Sequence, residues 1–161
     1  MVEGFYWRGA LIMSKPCVRR RMDILLVEDT LEDARTTILA LQNEPVDCRV
    51  SLVCDGEEAM KFLHREGVFA QAPHPDLILL DMELPKQDGR QVLVQIRADE
   101  QLKSIPVIVL TASLVHRAAL QAQDLRVDGY MTKPVSLEQF VGTVKSLRRS
   151  WLLESLALAA K

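Results

Sequence analysis

The run LILLD, Leu77 to Asp81, decides the fold. Four large apolar residues in succession do not suit a strand with one wet face, because such a strand alternates apolar with polar positions. They suit a strand buried on both faces, as in a parallel sheet with helices packed on each side. VIVL, Val107 to Leu110, repeats the pattern, and working outward adds Ile24 to Val27, Val50 to Val53 and Val127 to Met131 as further runs of strand length. Helix start signals fall between and after them: Thr30 with Asp33, Asp55 with Glu58, Asp88 with Gln91, Ser113, and Ser136 with Gln139. Strand and helix therefore alternate five times along the chain. Right-handed crossovers then predict an α/β fold, a doubly wound five-stranded parallel sheet of strand order 2-1-3-4-5.

Composition narrows the function classes. A chain of 161 residues builds one ordinary core and is short for two. Its 48% apolar and 26% charged content fits a globular protein, and no apolar run approaches the eighteen or so residues of a membrane span. With 20 basic against 22 acidic residues there is no overall positive field to draw in a nucleic-acid backbone, so neither nucleic acid nor membrane is an expected partner. Cys17, Cys48 and Cys54 form no CxxC, and Cys48 and Cys54 on one strand stand roughly 20 Å apart, which points to a reducing cytoplasm. His64, His74 and His116 lack metal-ligand spacing and read as surface or helix-end residues.

Both ends add segments to the domain at 23–148. Residues 1–22 carry Phe5, Tyr6 and Trp7 and then Arg19, Arg20 and Arg21, but the apolar segment Ala10 to Met13 is too short for a signal peptide. A flexible leader is favoured over a basic docking arm. In the last helix Leu137, Phe140, Val141, Val144 and Leu147 make one apolar face, and Trp151, Leu152, Leu153, Leu156 and Leu158 carry the apolar content into an extension at 149–161. That extension either folds back on its own core or presents a patch for a second copy or a partner.

The residues just past the strand ends carry the functional signal. Glu28 and Asp29 come after the first run, Asp81 after the third, Thr111 after the fourth, and Lys133 stands just past the fifth. In a parallel sheet all carboxyl ends lie on one edge, and ligands bind where the strand order reverses, here between the first and third strands. Taken singly, Thr111 is a plausible helix cap and Lys133 a solvated loop lysine; five polar residues at four strand ends are hard to attribute to capping. Gathered carboxylates repel one another unless cations neutralise them. Oxygen-only ligands suit Mg²⁺, with Asp29, Asp81 and the Glu83 backbone carbonyl as direct-ligand candidates and Glu28 acting through water. Lys133 is the second cation.

The segments VED (Val27 to Asp29), LLDMELPKQDG (Leu79 to Gly89), LTAS (Leu110 to Ser113) and GYMTKP (Gly129 to Pro134) resemble the receiver domains of response regulators, the CheY-like family of flavodoxin-like fold. The resemblance covers residues 23 to about 148 with every motif in order. It implies that Asp81 is the phosphoacceptor, Glu28 and Asp29 the acidic pair, Thr111 the switch hydroxyl, Tyr130 the switch aromatic and Lys133 the lysine preceding a cis Pro134. Ala112, being small, leaves access to the phosphoryl group, and Gly89 belongs to the loop after the phosphoacceptor. It further implies a histidine kinase or phosphotransfer protein as donor, and output through the face of the fourth helix, fifth strand and fifth helix. FLHREGVFAQAPHPDLILLD (Phe62 to Asp81), the DGR at Asp88 to Arg90 and the Trp-containing C-terminal extension are similar to the small receivers of phytochrome-type histidine kinases. A homodimer through the last helix is an expected partner state.

Glu83 departs from the family, which often has a neutral or basic residue two positions after the phosphoacceptor; it is expected to set acyl-phosphate lifetime. Two rival readings compete with this one. A haloacid-dehalogenase-type phosphatase also uses an aspartate after a strand, but it needs a second Asp two residues on, where this chain has Glu83. A pseudo-receiver that binds without chemistry typically lacks one of the site residues, and here all are present. The chain is therefore expected to be a phosphoacceptor and not a turnover enzyme.

Overall fold

The computed structural model describes residues 5–7, 10–12, 21–42, 47–84, 86–112, 117–118 and 125–147. Two short strands, β1 (Phe5–Trp7) and β2 (Ala10–Ile12), pair antiparallel inside the expected leader. The main sheet consists of β3 (Met22–Val27), β4 (Cys48–Val53), β5 (Leu77–Asp81), β6 (Val107–Thr111) and β7 (Gly129–Thr132). Its order is β4-β3-β5-β6-β7 with every pair parallel, which is 2-1-3-4-5 counted within this sheet. The described helices are α1 (Leu31–Leu41), α2 (Gly56–His64), α3 (Gly89–Ala98) and α4 (Leu137–Ser146), and a 3-10 turn spans Gly67–Phe69. The helix expected after Ser113, apart from residues 117–118, and the extension through Trp151 lie outside the described residues.

Every residue of β5 and β6 is buried, and most of their apolar side chains divide by parity between two cores. Leu77, Leu79, Ile108 and Leu110 join Ile24 and Leu26 against Ala34 and Leu41 of α1 and Phe140 and Val144 of α4. Ile78, Leu80 and Val107 join Leu25 and Val27 against Ala59, Phe62 and Leu63 of α2 and Val92, Leu93 and Ile96 of α3. The strand residues of these two clusters therefore have a helix above or below them, which is why the runs show no polar alternation.

Local chemistry moves several boundaries. β3 begins at Met22, two residues before the expected run from Ile24 and one before the expected domain start at Asp23. β7 begins at Gly129, later than the expected Val127, because the Asp128 side chain accepts from the first N–H of β6, that of Val107, at 2.8 Å and also pairs with Arg97 at 2.7 Å. Asp55 caps α2 through Glu58 N, and Ser136 caps α4 through Gln139 N. Asp88 accepts from Arg90 N, not from Gln91. Thr30 occupies the N-cap position of α1 without a side-chain cap bond, and Asp33, its expected partner, is drawn to Lys133.

Candidate functional site at the carboxyl ends of the strands

The parallel register places one rim of polar groups. Val27 pairs with Leu80, Asp81 with Leu110 and Thr111 with Thr132, so Glu28, Asp29, Asp81, Thr111 and Lys133 all come at the same sheet edge. Carboxylate oxygens of Glu28, Asp29 and Asp81 lie within 4.8 Å of one another. Glu28, Asp81 and Thr111 are buried, and Asp29 is half-buried. The Glu83 side chain is exposed and stands outside this group, while its backbone N–H donates to Asp81 Oδ1 at 3.1 Å.

Lys133 supplies the opposing charge. Its Nζ lies 2.7 Å from Glu28 Oε2, 3.0 Å from Asp81 Oδ2 and 3.2 Å from Asp33 Oδ2. The Glu28 carboxyl ends at about 7: burial raises it most, Lys133 lowers it and the neighbouring Asp81 raises it further. For Lys133, burial acts downward, but the close carboxylates of Glu28 and Asp81 outweigh it and its pKa ends above the ordinary lysine value. Glu28 Oε2 is buried and has no hydrogen bond beyond its ion contact with Lys133, and Glu28 Oε1 accepts from Thr30 N at 3.2 Å. A buried carboxylate oxygen with spare acceptor capacity, facing two more carboxylates, fits a hard divalent cation.

The supporting residues come from three further elements. Gln139 of α4 accepts from Thr132 N at 3.1 Å and donates to Pro134 O at 3.4 Å, which holds the turn carrying Lys133. Lys133 N donates to Thr111 O at 3.0 Å, and the Lys133–Pro134 peptide is cis. Gly89 opens α3 directly against the end of β5: a Cβ there would collide with the Asp81 carbonyl and come within 2.8 Å of Met82 Cα. Ala112, next to Thr111, is exposed. Tyr130 packs against Met82 and Val109, with the Arg117 guanidinium 5.0 Å from its ring centroid.

Sequence reasoning does not find Asp33, Gln139 or Arg117 as parts of this site. In the sequence Asp33 and Gln139 read as capping partners, and their positions one turn into a helix beside the sheet edge are the available signal. Arg117 carries no signal, because only the chain path brings it over Tyr130.

Residues 24–145 match the family model of the response regulator receiver domain. The chain belongs to this family. The receiver is similar to the response regulator Rcp1 of Synechocystis sp., at 39% identity over 85% of this chain and 92% of that protein. A solved Mn(2+)-bound form of Rcp1 aligns with a TM-score of 0.65, covering 81% of this chain and 94% of that one. The phosphorylated cyanobacterial phytochrome response regulator RcpA is 45% identical, with a TM-score of 0.68 over 83% of this chain and 95% of that one. The bacteriophytochrome response regulator RtBRR is 39% identical, with a TM-score of 0.75 over 81% and 80%. The receiver is thus a response regulator of two-component signalling whose relatives include phytochrome-associated proteins. Among the described residues no helix is long and apolar enough to cross a membrane.

Proposed function

We propose that this receiver accepts a phosphoryl group on Asp81 from a phosphohistidine and signals through protein contact. The observation that carries the reading is the position of Asp81: a buried carboxylate grouped with Glu28 and Asp29 and held 3.0 Å from the Lys133 ammonium. A carboxylate oxygen of Asp81 attacks phosphorus, the P–N bond to the donor imidazole breaks, and the imidazole leaves with its electron pair and takes up a proton. An acyl phosphate remains. Glu28, Asp29, Asp81 and the Glu83 backbone carbonyl would hold Mg²⁺, which when bound supplies neutralising charge to phosphoryl oxygens. Lys133 supplies a fixed positive charge to the same oxygens.

The new phosphoryl oxygens attract the Thr111 hydroxyl, and the space it leaves accepts the Tyr130 ring, while Ala112 keeps the approach open. The β7 and α4 face then changes as a surface. The chain acts as a stoichiometric acceptor and not as a turnover enzyme. Its donor is a histidine kinase or phosphotransfer protein, and the names of its relatives favour a phytochrome-type kinase. Glu83, exposed and bonded through its N–H to the phosphoacceptor, borders the path of attacking water and sets acyl-phosphate lifetime. Replacing Glu83 with Asn is expected to change the dephosphorylation half-life several-fold; an unchanged half-life removes that role.

The central test is intact-mass spectrometry after incubation with Mg²⁺ and acetyl phosphate. Wild type should gain one phosphoryl mass and Asp81→Asn none. No adduct on wild type, or an undiminished one on the variant, overturns the assignment.

A further inference from the structure

We infer that Asp33 is a positioning residue that competes with a phosphoryl group on Asp81 for the Lys133 ammonium. The inference rests on the phosphoacceptor reading above and adds a residue to it. An ammonium has three N–H donors. Lys133 meets three carboxylates, and the bond of good hydrogen-bonding geometry goes to Asp33 Oδ2, from a residue 100 positions away in α1. Glu28 Oε2, though closer, accepts no hydrogen bond of proper alignment. The ammonium is thus shared between the acid pair, at 2.7 and 3.0 Å, and Asp33 of α1 at 3.2 Å.

The three partners differ in how readily they release the lysine. The side chains of Glu28 and Asp81 are 0% and 4% exposed, whereas that of Asp33 is 45% exposed. Water can replace the ammonium at Asp33 with little desolvation penalty, and cannot do so at Glu28. When phosphoryl oxygens on Asp81 demand an N–H from Lys133, Asp33 is the partner that yields. Its carboxylate satisfies the lysine in the unmodified protein and opposes the modified one.

The test compares Asp33→Asn with Glu32→Gln, which removes the same charge from an exposed position one residue earlier on the same helix. Affinity for beryllofluoride, a phosphoryl mimic, is measured with the full chain in Mg²⁺ at high salt, where long-range charge effects are screened. Asp33→Asn should bind about two- to five-fold more tightly than wild type, the size expected for losing a half-exposed ion pair. Glu32→Gln should match wild type, and Asp33→Glu should restore wild-type affinity. A second readout needs neither metal nor mimic: in metal-free protein the ¹H–¹⁵N signal of the Lys133 ammonium should move in Asp33→Asn and stay put in Glu32→Gln. Equal shifts in both variants, weaker binding by Asp33→Asn, or a stationary lysine signal overturns the inference. A lysine shift in Asp33→Asn together with a wild type that takes no phosphoryl group or mimic overturns the phosphoacceptor reading, and the competition with it, while leaving the Asp33–Lys133 contact standing.

Discussion

Lys133 brings one positive charge to the buried Glu28–Asp81 pair, where burial holds the Glu28 carboxyl at about 7 in spite of it. Removing the charge leaves two buried acids uncompensated. Lys133→Met is expected to lower the stability of the metal-free protein by about 2–4 kcal/mol, read from urea unfolding. Excess Mg²⁺ should recover part of that loss, because a cation that binds the folded state stabilises it by mass action. Cys48 gives the pH-dependent counterpart at the residue scale. Burial first, and the charge of Asp47 second, push its thiol up to about 11, and the protonated sulfur bonds the Leu41 carbonyl at 3.5 Å. Because the thiolate is the nucleophile, iodoacetamide labelling of Cys48 should keep rising to about pH 11 in the folded protein and level off earlier in urea. Since the folded pKa is the higher one, the contribution to stability is whole below the unfolded thiol pKa and is lost as pH rises through the folded value. Equal labelling profiles in the two states would exclude the shift.

At the scale of elements, the approach of α3 to β5 fixes the loop that follows Asp81. Gly89 lies so close to the Asp81 carbonyl and Met82 Cα that no larger residue fits without moving backbone. Gly89→Ala should cost about 1–3 kcal/mol in urea unfolding, the range of overpacking, and should slow phosphoryl uptake from acetyl phosphate as the loop shifts. A variant with wild-type stability and uptake would show that the contact is not restrictive. The opposite end of α3 is tied by Arg97, whose guanidinium donates to the carbonyls of Arg126, Lys103 and Ile105 and pairs with Asp128 at 2.7 Å. This one side chain joins α3 to the starts of β6 and β7, so the helix that opens at the site is anchored at the far edge of the sheet.

For the whole molecule, the parallel sheet collects chemistry at one edge and leaves output to surfaces. The apolar face of α4 is accounted for within the described residues: Phe140 and Val144 are fully buried, and Leu137, Val141 and Leu147 pack against the same core. The apolar residues after Leu147 that the sequence offers to a second copy lie outside the described residues. Light scattering should report a dimer for the full chain and a monomer once residues 149–161 are deleted, with the phosphodonor changing the dimer fraction. A monomer at all concentrations, with and without phosphodonor, would remove dimerisation from the output.

The strand runs, the two-sided burial and the five polar residues at strand ends could all be read from the chain. Burial periodicity and residue type are local properties, and a parallel sheet places strand ends on one edge whatever the loops do. Asp33, Gln139 and Arg117 could not be assigned in that way. Each acts on a residue of another element, Asp33 across 100 positions, and at the level of sequence an acid or amide in a first helical turn is indistinguishable from a cap. Only the packing of α1 and α4 onto the sheet determined that Asp33 reaches Lys133 and that Gln139 holds the turn carrying it, because side-chain reach is a few ångströms in space and has no counterpart in sequence spacing.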